Sequence, residues 1–311
     1  MSLTPWECVN CGYGASDRPR SCPKCGLVQA GVGTLQKYGV LAGYCHPLSL
    51  IMRNNGIGHH FIDACAGSGR VQDYVERKLI DGSPVRMAMT RSVVDGKIRD
   101  KSKKNEAKCW FIEVNDSTFS LLKANVEPFA GFSTCVHGDA NVRLESVLEE
   151  VGREFALVYV DPFGIGDPVL RYETIQSVLE RPYTELLIHY SYQGVDFSAA
   201  QLQNIDHPDP VIRQTARTTV NTLDMYLGGP EWHDVWSRAR EGGRRKAMLD
   251  FYLSELGKHY THVMHLEMPP GSPRPYFDLV FVTRNDTANK IMKDIMDSKR
   301  RRSSSSLEEW F

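Results

Sequence analysis

The chain has 311 residues, 41% of them apolar and 24% charged. That is the composition of a globular protein with room for one large α/β domain and small appendages. Its 37 Lys and Arg against 38 Asp and Glu leave a formal net charge of −1, which excludes a global electrostatic pull toward nucleic acid or an anionic membrane; any such contact must be a local patch. No apolar run approaches the ~20 residues of a membrane span, and the opening MSLTPWECVNC lacks the basic and apolar regions of a signal peptide.

Cys8-Val-Asn-Cys11 and Cys22-Pro-Lys-Cys25 are two C-x-x-C knuckles, each followed by a glycine, Gly12 or Gly26. Each turn can aim two thiolates at one ion, and glycine permits the tight backbone behind them. Cys8, Cys11, Cys22 and Cys25 therefore predict a closed, four-sulfur structural Zn2+ site in a zinc ribbon over residues 1–30; an iron site of rubredoxin type is the rival. So small a module lacks a core and depends on its metal. Cys45, Cys65, Cys109 and Cys135 are scattered through core-like segments, which suggests a reducing, cytoplasmic setting rather than a disulfide framework. Arg18, Arg20 and Lys24 offer a nucleic-acid contact, although a solvated face is the plainer reading.

Val28 to Thr34 reads as a small-residue linker. From Leu35 to Ile51 apolar positions recur at three and four, a helical face that Pro47 should kink or divide. Phe61-Ile62 then forms a short strand ending in Asp63, followed by Ala64-Cys65-Ala66-Gly67-Ser68-Gly69 and a helix-like stretch from Arg70 to Leu79. Strand, glycine-rich turn and helix together suit a phosphate- or nucleoside-bearing cofactor, because glycine admits close approach and a helix start offers free N–H groups. A dinucleotide fingerprint would want a third glycine where Gln72 stands. Asp, three small residues, Gly, x, Gly instead resembles motif I of the class I S-adenosylmethionine-dependent methyltransferases. A plain turn of a doubly wound protein is the bland alternative.

Ser83 and Pro84 suit a helix start. Asp95 to Lys108 carries six basic residues and reads as an exposed loop. Cys109 to Glu113 is a strand ending in an acid placed to hold ribose hydroxyls; a helix-capping carboxylate is the alternative. A helix from Ser117 to about Phe129 and a strand from Phe132 to His137 lead to Asp139, a candidate for the adenine amine and equally an N-cap. Phe155 to Val160 is a strand with Asp161-Pro162-Phe163-Gly164 at its carboxyl end, where open α/β sheets bind ligands, so Asp161 should face the same crevice as Gly67 and Gly69. Asp161 and the backbone at Pro162 can accept from an amine, and Phe163 can stack on a flat base. This resembles the D-P-P-[FY] motif of base-methylating enzymes, with one proline fewer and the aromatic one place early.

Glu185 to Tyr190 is a further strand. Residues 194–259 form a polar, helix-rich insertion suited to specificity or partner binding, in which scattered histidines, like His189 before them, read as structural. Tyr260 to Met268 and Tyr276 to Thr283 form an antiparallel pair around a proline-rich turn. A helix from about Thr287 to Met296 and a disordered tail over 298–311 complete the chain.

Taken in order, Lys37, Phe61 to Gly69, Gly82-Ser-Pro84, Phe111-Ile-Glu113, Gly138-Asp139-Ala-Asn141, Asp161-Pro-Phe-Gly164, Gly228 to Trp232, Phe277 to Thr283 and Lys290 to Met296 resemble the three-Cys-motif partner proteins of bacteria and phages. The resemblance spans about residues 34 to 297 and treats the ribbon as an addition. It implies a Rossmann-like class I methyltransferase fold, a mostly parallel seven-stranded sheet with an antiparallel last strand, over 34–297. It implies S-adenosylmethionine on Asp63, Ala64, Gly67, Gly69, Glu113 and Asp139, with Asp161, Pro162 and Phe163 at the acceptor. Two functions remain open. One is methyl transfer to an amino group, most plausibly of a nucleobase or nucleic acid. The other is a non-catalytic partner that docks on a radical-S-adenosylmethionine-like protein or a nucleic acid. No phosphate-binding lysine motif or paired metal carboxylates support a nucleotide-hydrolysing role.

Overall fold

A computed structural model of the chain describes residues 6–15, 22–73, 76–95, 107–162, 164–166, 170–272 and 275–302. Two units emerge, Met1–Tyr159 with Asp294–Phe311, and Val160–Lys293.

The first unit opens with β1 (Trp6–Glu7) and β2 (Gly14–Ala15), an antiparallel pair around the first knuckle. The expected linker is instead ordered. It contains β3 (Val28–Ala30), and helix α1 (Val32–Asn54) begins at once. Pro47 lies inside α1 without dividing it. An interior proline forfeits one backbone hydrogen bond, but Tyr44, Cys45 and Leu48 around it are all buried, and this packing outweighs the loss.

Strand β4 (His59–Asp63) is buried at every position, as a central parallel strand covered on both faces should be. Phe61 and Ile62 are fully inaccessible, which is worth roughly 1.5–3 kcal/mol for each side chain. At the start of β4, Trp110 Nε1 donates to His60 Nδ1 at 3.0 Å, so the neutral ring carries its proton on Nε2, 2.6 Å from Glu154.

The helix expected over Arg70–Leu79 is absent. The turn feeds β5 (Arg70–Asp73), and β6 (Leu79–Asp81) returns antiparallel to it. β5 also pairs in parallel with β3, register Val28↔Val71 to Ala30↔Asp73. This three-stranded sheet is the reason the local pattern misleads: Val71, Gln72 and Asp73 are all buried, so no exposed polar face marks them as a strand.

Helix α2 (Ser83–Asp95) starts where Ser83 and Pro84 predict. Of the basic loop, residues 96–106 lie outside the described residues, and β7 (Ala107–Glu113) follows. Next come α3 (Asp116–Val126), β8 (Ser133–His137), α4 (Ala140–Val151) and β9 (Phe155–Val160). β4 pairs in parallel with both β7 and β9, and β7 in parallel with β8.

The second unit holds α5 (Tyr172–Glu180) and β10 (Thr184–Ser191). Helices α6 (Tyr192–Ala200), α7 (Pro210–Leu227), α8 (Trp232–Arg238) and α9 (Arg244–Gly257) follow, joined by turns. Asp209 caps α7 through Val211 N, and Gly228 ends it at φ 92°. Strands β11 (His262–Met268) and β12 (Phe277–Thr283) are antiparallel, and β12 is also antiparallel to β10.

The seven long strands form one sheet in the order β11-β12-β10-β9-β4-β7-β8. This is the expected Rossmann-like methyltransferase architecture, with β12 the reversed strand. The last helix, α10 (Asp286–Arg302), runs past the expected start of the tail at 298; residues 303–311 lie outside the described residues. No helix among the described residues is long and apolar enough to cross a membrane.

Candidate functional site

The two knuckles fold alike. Gly12 N donates to Cys8 O and Gly26 N to Cys22 O, each at 2.8 Å, and both glycines take a left-handed φ, 68° and 77°. The Sγ atoms of Cys8, Cys11, Cys22 and Cys25 lie within 4.8 Å of one another, with Cys8–Cys25 and Cys11–Cys22 at 3.6 Å. A tetrahedron with Zn–S bonds of about 2.3 Å spaces its sulfurs about 3.8 Å apart, so the four thiols fit one metal ion with no position left open. Burial pushes the Cys8 thiol up to about 12. Burial likewise opposes ionisation of Cys25, but hydrogen bonds from the Asn10 side chain, the Leu27 amide and the neighbouring Cys11 and Cys22 thiols together outweigh it and bring that thiol down to about 7. Arg18 and Arg20 lie outside the described residues.

The turn after β4 is built from its own amides. Asp63 is fully buried and its Oδ1 accepts from Cys65 N at 3.1 Å, so this carboxylate shapes the turn from within. Ala64 N donates to Tyr159 O (2.9 Å) and Ala66 N to Ile112 O (2.8 Å), which pins the turn to β9 and β7. Gly67 N then donates to Glu113 Oε2 at 2.9 Å. The glycines differ in environment. Gly67, at φ 61°, would have nothing within 4 Å of an added Cβ, whereas a Cβ added to Gly69, at φ 76°, would lie 3.3 Å from both Asn125 and Leu122. The outer side of Gly67 is thus the open side of the loop, where a ligand can meet backbone directly.

Without a helix after Gly69, the expected helix N-terminus is supplied differently. Residues 70–81 make the β5–β6 excursion, and the chain returns with Gly82 N donating to Gly69 O at 2.9 Å. A Cβ on Gly82 would sit 2.9 Å from that same oxygen, so the Gly-Ser-Pro sequence is explained by close backbone approach. Helix α2 starts on the next residue.

Glu113 is not a helix cap. Asn115 caps α3 through Thr118 N (3.1 Å), while Glu113 Oε1 accepts from Asn115 N (2.8 Å). Partial burial raises the Glu113 pKa above 4.5 against its amide donors. Asp139 does cap, accepting from Asn141 N at 2.9 Å and Asn141 Nδ2 at 3.0 Å.

In the second unit, Asp161 Oδ1 lies 3.3 Å from His189 Nδ1, and Phe277 packs edge-on to the His189 ring at 4.2 Å. The separation suits an ion pair, without the alignment of a hydrogen bond. Pro162 lies on the same segment, and Phe163 lies outside the described residues. His189 read as one of several scattered histidines; its place near the carboxyl end of β10 sets it apart. Gln72 entered the sequence reading only as an absent glycine, yet its amide carries three contacts to the ribbon: from Val9 N (3.2 Å), from Gln29 Nε2 (3.3 Å) and to Glu7 O (2.9 Å).

No protein-family model matches this chain, and no curated protein matches it in sequence. Among solved structures it is similar to protein LPL1258 from Legionella pneumophila, with TM-score 0.50 and 9% identity over 86% of this chain and 91% of that one. It is also similar to the O-methyltransferase TomG from Streptomyces achromogenes, solved in complex with S-adenosylmethionine, with TM-score 0.39 and 12% identity over 78% and 79%. The first likeness shows a shared fold and nothing of activity; the second is too distant in shape to carry weight.

Proposed function

We propose that the chain is an S-adenosylmethionine-dependent methyltransferase acting on an amino group, with a nucleobase or nucleic acid as acceptor, and that its four cysteines hold a structural Zn2+. The observation that carries the reading is the grip of Glu113 on Gly67 N at 2.9 Å beside the open outer face of Gly67. A buried-edge carboxylate held by two amides keeps acceptor capacity for ribose hydroxyls, and the exposed glycine backbone admits a nucleoside closely. The bound sulfonium supplies the methyl group. The chain's own residues then have only to orient the acceptor, which is the larger part of such a reaction. Asp161 accepts an N–H of the acceptor amine, His189 steadies that carboxylate, and Pro162 shapes the backbone. Asp139, which caps α4, would accept from the adenine amine.

Calorimetric titration of S-adenosylhomocysteine into metal-replete protein tests the cofactor, with Glu113→Ala as the comparison because Asp63 is too buried for a clean variant. Micromolar binding lost in Glu113→Ala supports the reading; no binding at millimolar ligand overturns it. Labelled methyl transfer to DNA, RNA and protein then separates acceptors, with Asp161→Asn expected to keep cofactor affinity and lose transfer. Metal analysis after acid release should give one zinc per chain.

The engagement of Asp161 by His189 favours a second reading, in which the fold binds cofactor without transfer and docks on a protein such as a radical-S-adenosylmethionine-like enzyme, the relation that the three-Cys-motif resemblance implies. Cofactor binding with no methylated product across all acceptor classes would select it.

A further inference from the structure

We infer that the four-cysteine module positions the glycine loop, so that metal occupancy sets the geometry of Gly67–Gly69 and Glu113, with Gln72 as the positioning residue. The inference rests on the cofactor reading of that loop for its functional meaning, though not for its physics.

Two routes lead from the knuckles to the loop. The first knuckle presents Glu7 O and Val9 N, on either side of Cys8, to the fully buried Gln72 side chain, which donates to the former and accepts from the latter. Gln72 stands on β5, which begins directly after Gly69. The second knuckle ends at Gly26, whose added Cβ would lie 2.6 Å from Thr118 Oγ1 and 2.9 Å from Ser117 Oγ. Gly26 is therefore pressed on the first turn of α3. That turn is capped by Asn115, whose amide holds Glu113, which in turn holds Gly67 N. Leu121 of α3 also packs on the ribbon's small core of Trp6, Cys8, Cys22 and Leu27. One route ends at Gly69 and the other at Gly67.

The ribbon strands β1 and β2 have two residues each and the ribbon's buried core has four, too little to hold the knuckles in shape without the metal. A loop with two left-handed glycines has little conformational preference of its own. Loss of the knuckle geometry removes both props at once. A ribbon that served only as an external tether would need no buried glutamine on the strand leaving the cofactor loop.

The test uses full-length protein loaded with Zn2+ and follows amide hydrogen exchange of residues 64–69 and 113–118, with 277–283 as reference. One arm removes the metal with a high-affinity chelator. The other uses Gln72→Met, which keeps volume and all four cysteines but neither donates nor accepts as an amide. Loss of the Gln72 contacts should speed exchange in 64–69 by about tenfold or more. The expected result is that acceleration in both arms, with one zinc retained in Gln72→Met, unchanged exchange at 277–283, and S-adenosylhomocysteine affinity weakened in step. Unchanged protection of 64–69 in metal-free protein, or wild-type protection in zinc-loaded Gln72→Met, overturns the inference. Should chelation unfold the whole chain, the Gln72→Met arm decides alone. Metal-dependent loop protection in a wild-type protein that binds no S-adenosylhomocysteine supports the coupling while removing the cofactor reading.

Discussion

Gly67 N donates to Glu113 Oε2 at 2.9 Å across 46 residues of sequence. This bond ties the end of β7 to the turn after β4, so one carboxylate shapes the loop.

Partial burial holds the Glu113 pKa above the ordinary 4.5. Ligand binding that uses the ionised carboxylate should therefore weaken as pH falls, with a midpoint above that value. The fold itself responds in the opposite sense: a raised folded pKa favours the native state below the unfolded value, and that contribution is lost as pH rises through the folded pKa. Glu113→Gln should bind S-adenosylhomocysteine more weakly at neutral pH and show no such acid limb; titrations across pH 4 to 8 read both. An acid limb that persists in Glu113→Gln would assign it to another group.

Gly67→Ala and Gly69→Ala should separate ligand access from stability. Both place alanine at a left-handed φ, 61° and 76°, at a cost of roughly 1–2 kcal/mol each. Only Gly69→Ala adds crowding, against Asn125 and Leu122 at 3.3 Å. Thermal denaturation should show the larger loss for Gly69→Ala, and calorimetry the larger affinity loss relative to stability for Gly67→Ala.

His59 should set part of the acid sensitivity. Burial lowers its pKa from 6.5 to about 4, and its Nε2 lies 2.9 Å from Ser49 Oγ. A folded pKa below the unfolded one leaves stability intact above pH 6.5 and erodes it as pH falls toward 4, because the unfolded chain takes the proton first. The full shift corresponds to about 3 kcal/mol. His59→Gln should flatten the denaturant-midpoint profile in that window.

Tyr190 is fully buried, and its hydroxyl has no hydrogen-bond partner among the described residues. The ring packs among Tyr192, Tyr226 and Tyr252 at 5.1 to 6.5 Å. An unsatisfied buried hydroxyl costs roughly 1–3 kcal/mol. Tyr190→Phe should thus be neutral or stabilising in urea melts, whereas Tyr190→Ala should lose roughly 3–5 kcal/mol through the cavity it leaves.

The elements legible in the sequence were those whose signal is local. The knuckles showed because metal ligands must recur at short spacing, and β9 showed because a strand covered on both faces is a continuous apolar run. Ser83 and Pro84 marked the start of α2, because a helix start depends on residues within its own first turn. What local pattern did not carry was pairing between distant segments. Arg70–Asp73 is a strand because Val28–Ala30 lies beside it, not because of its own period. Asp63 turned inward to Cys65 N, Glu113 took the Gly67 amide, and Asp161 met His189. Composition and spacing dictate which groups are available and which backbone turns they permit. Which carboxylate meets which amide depends on strand register and on burial, and those are set only when the chain has closed on itself.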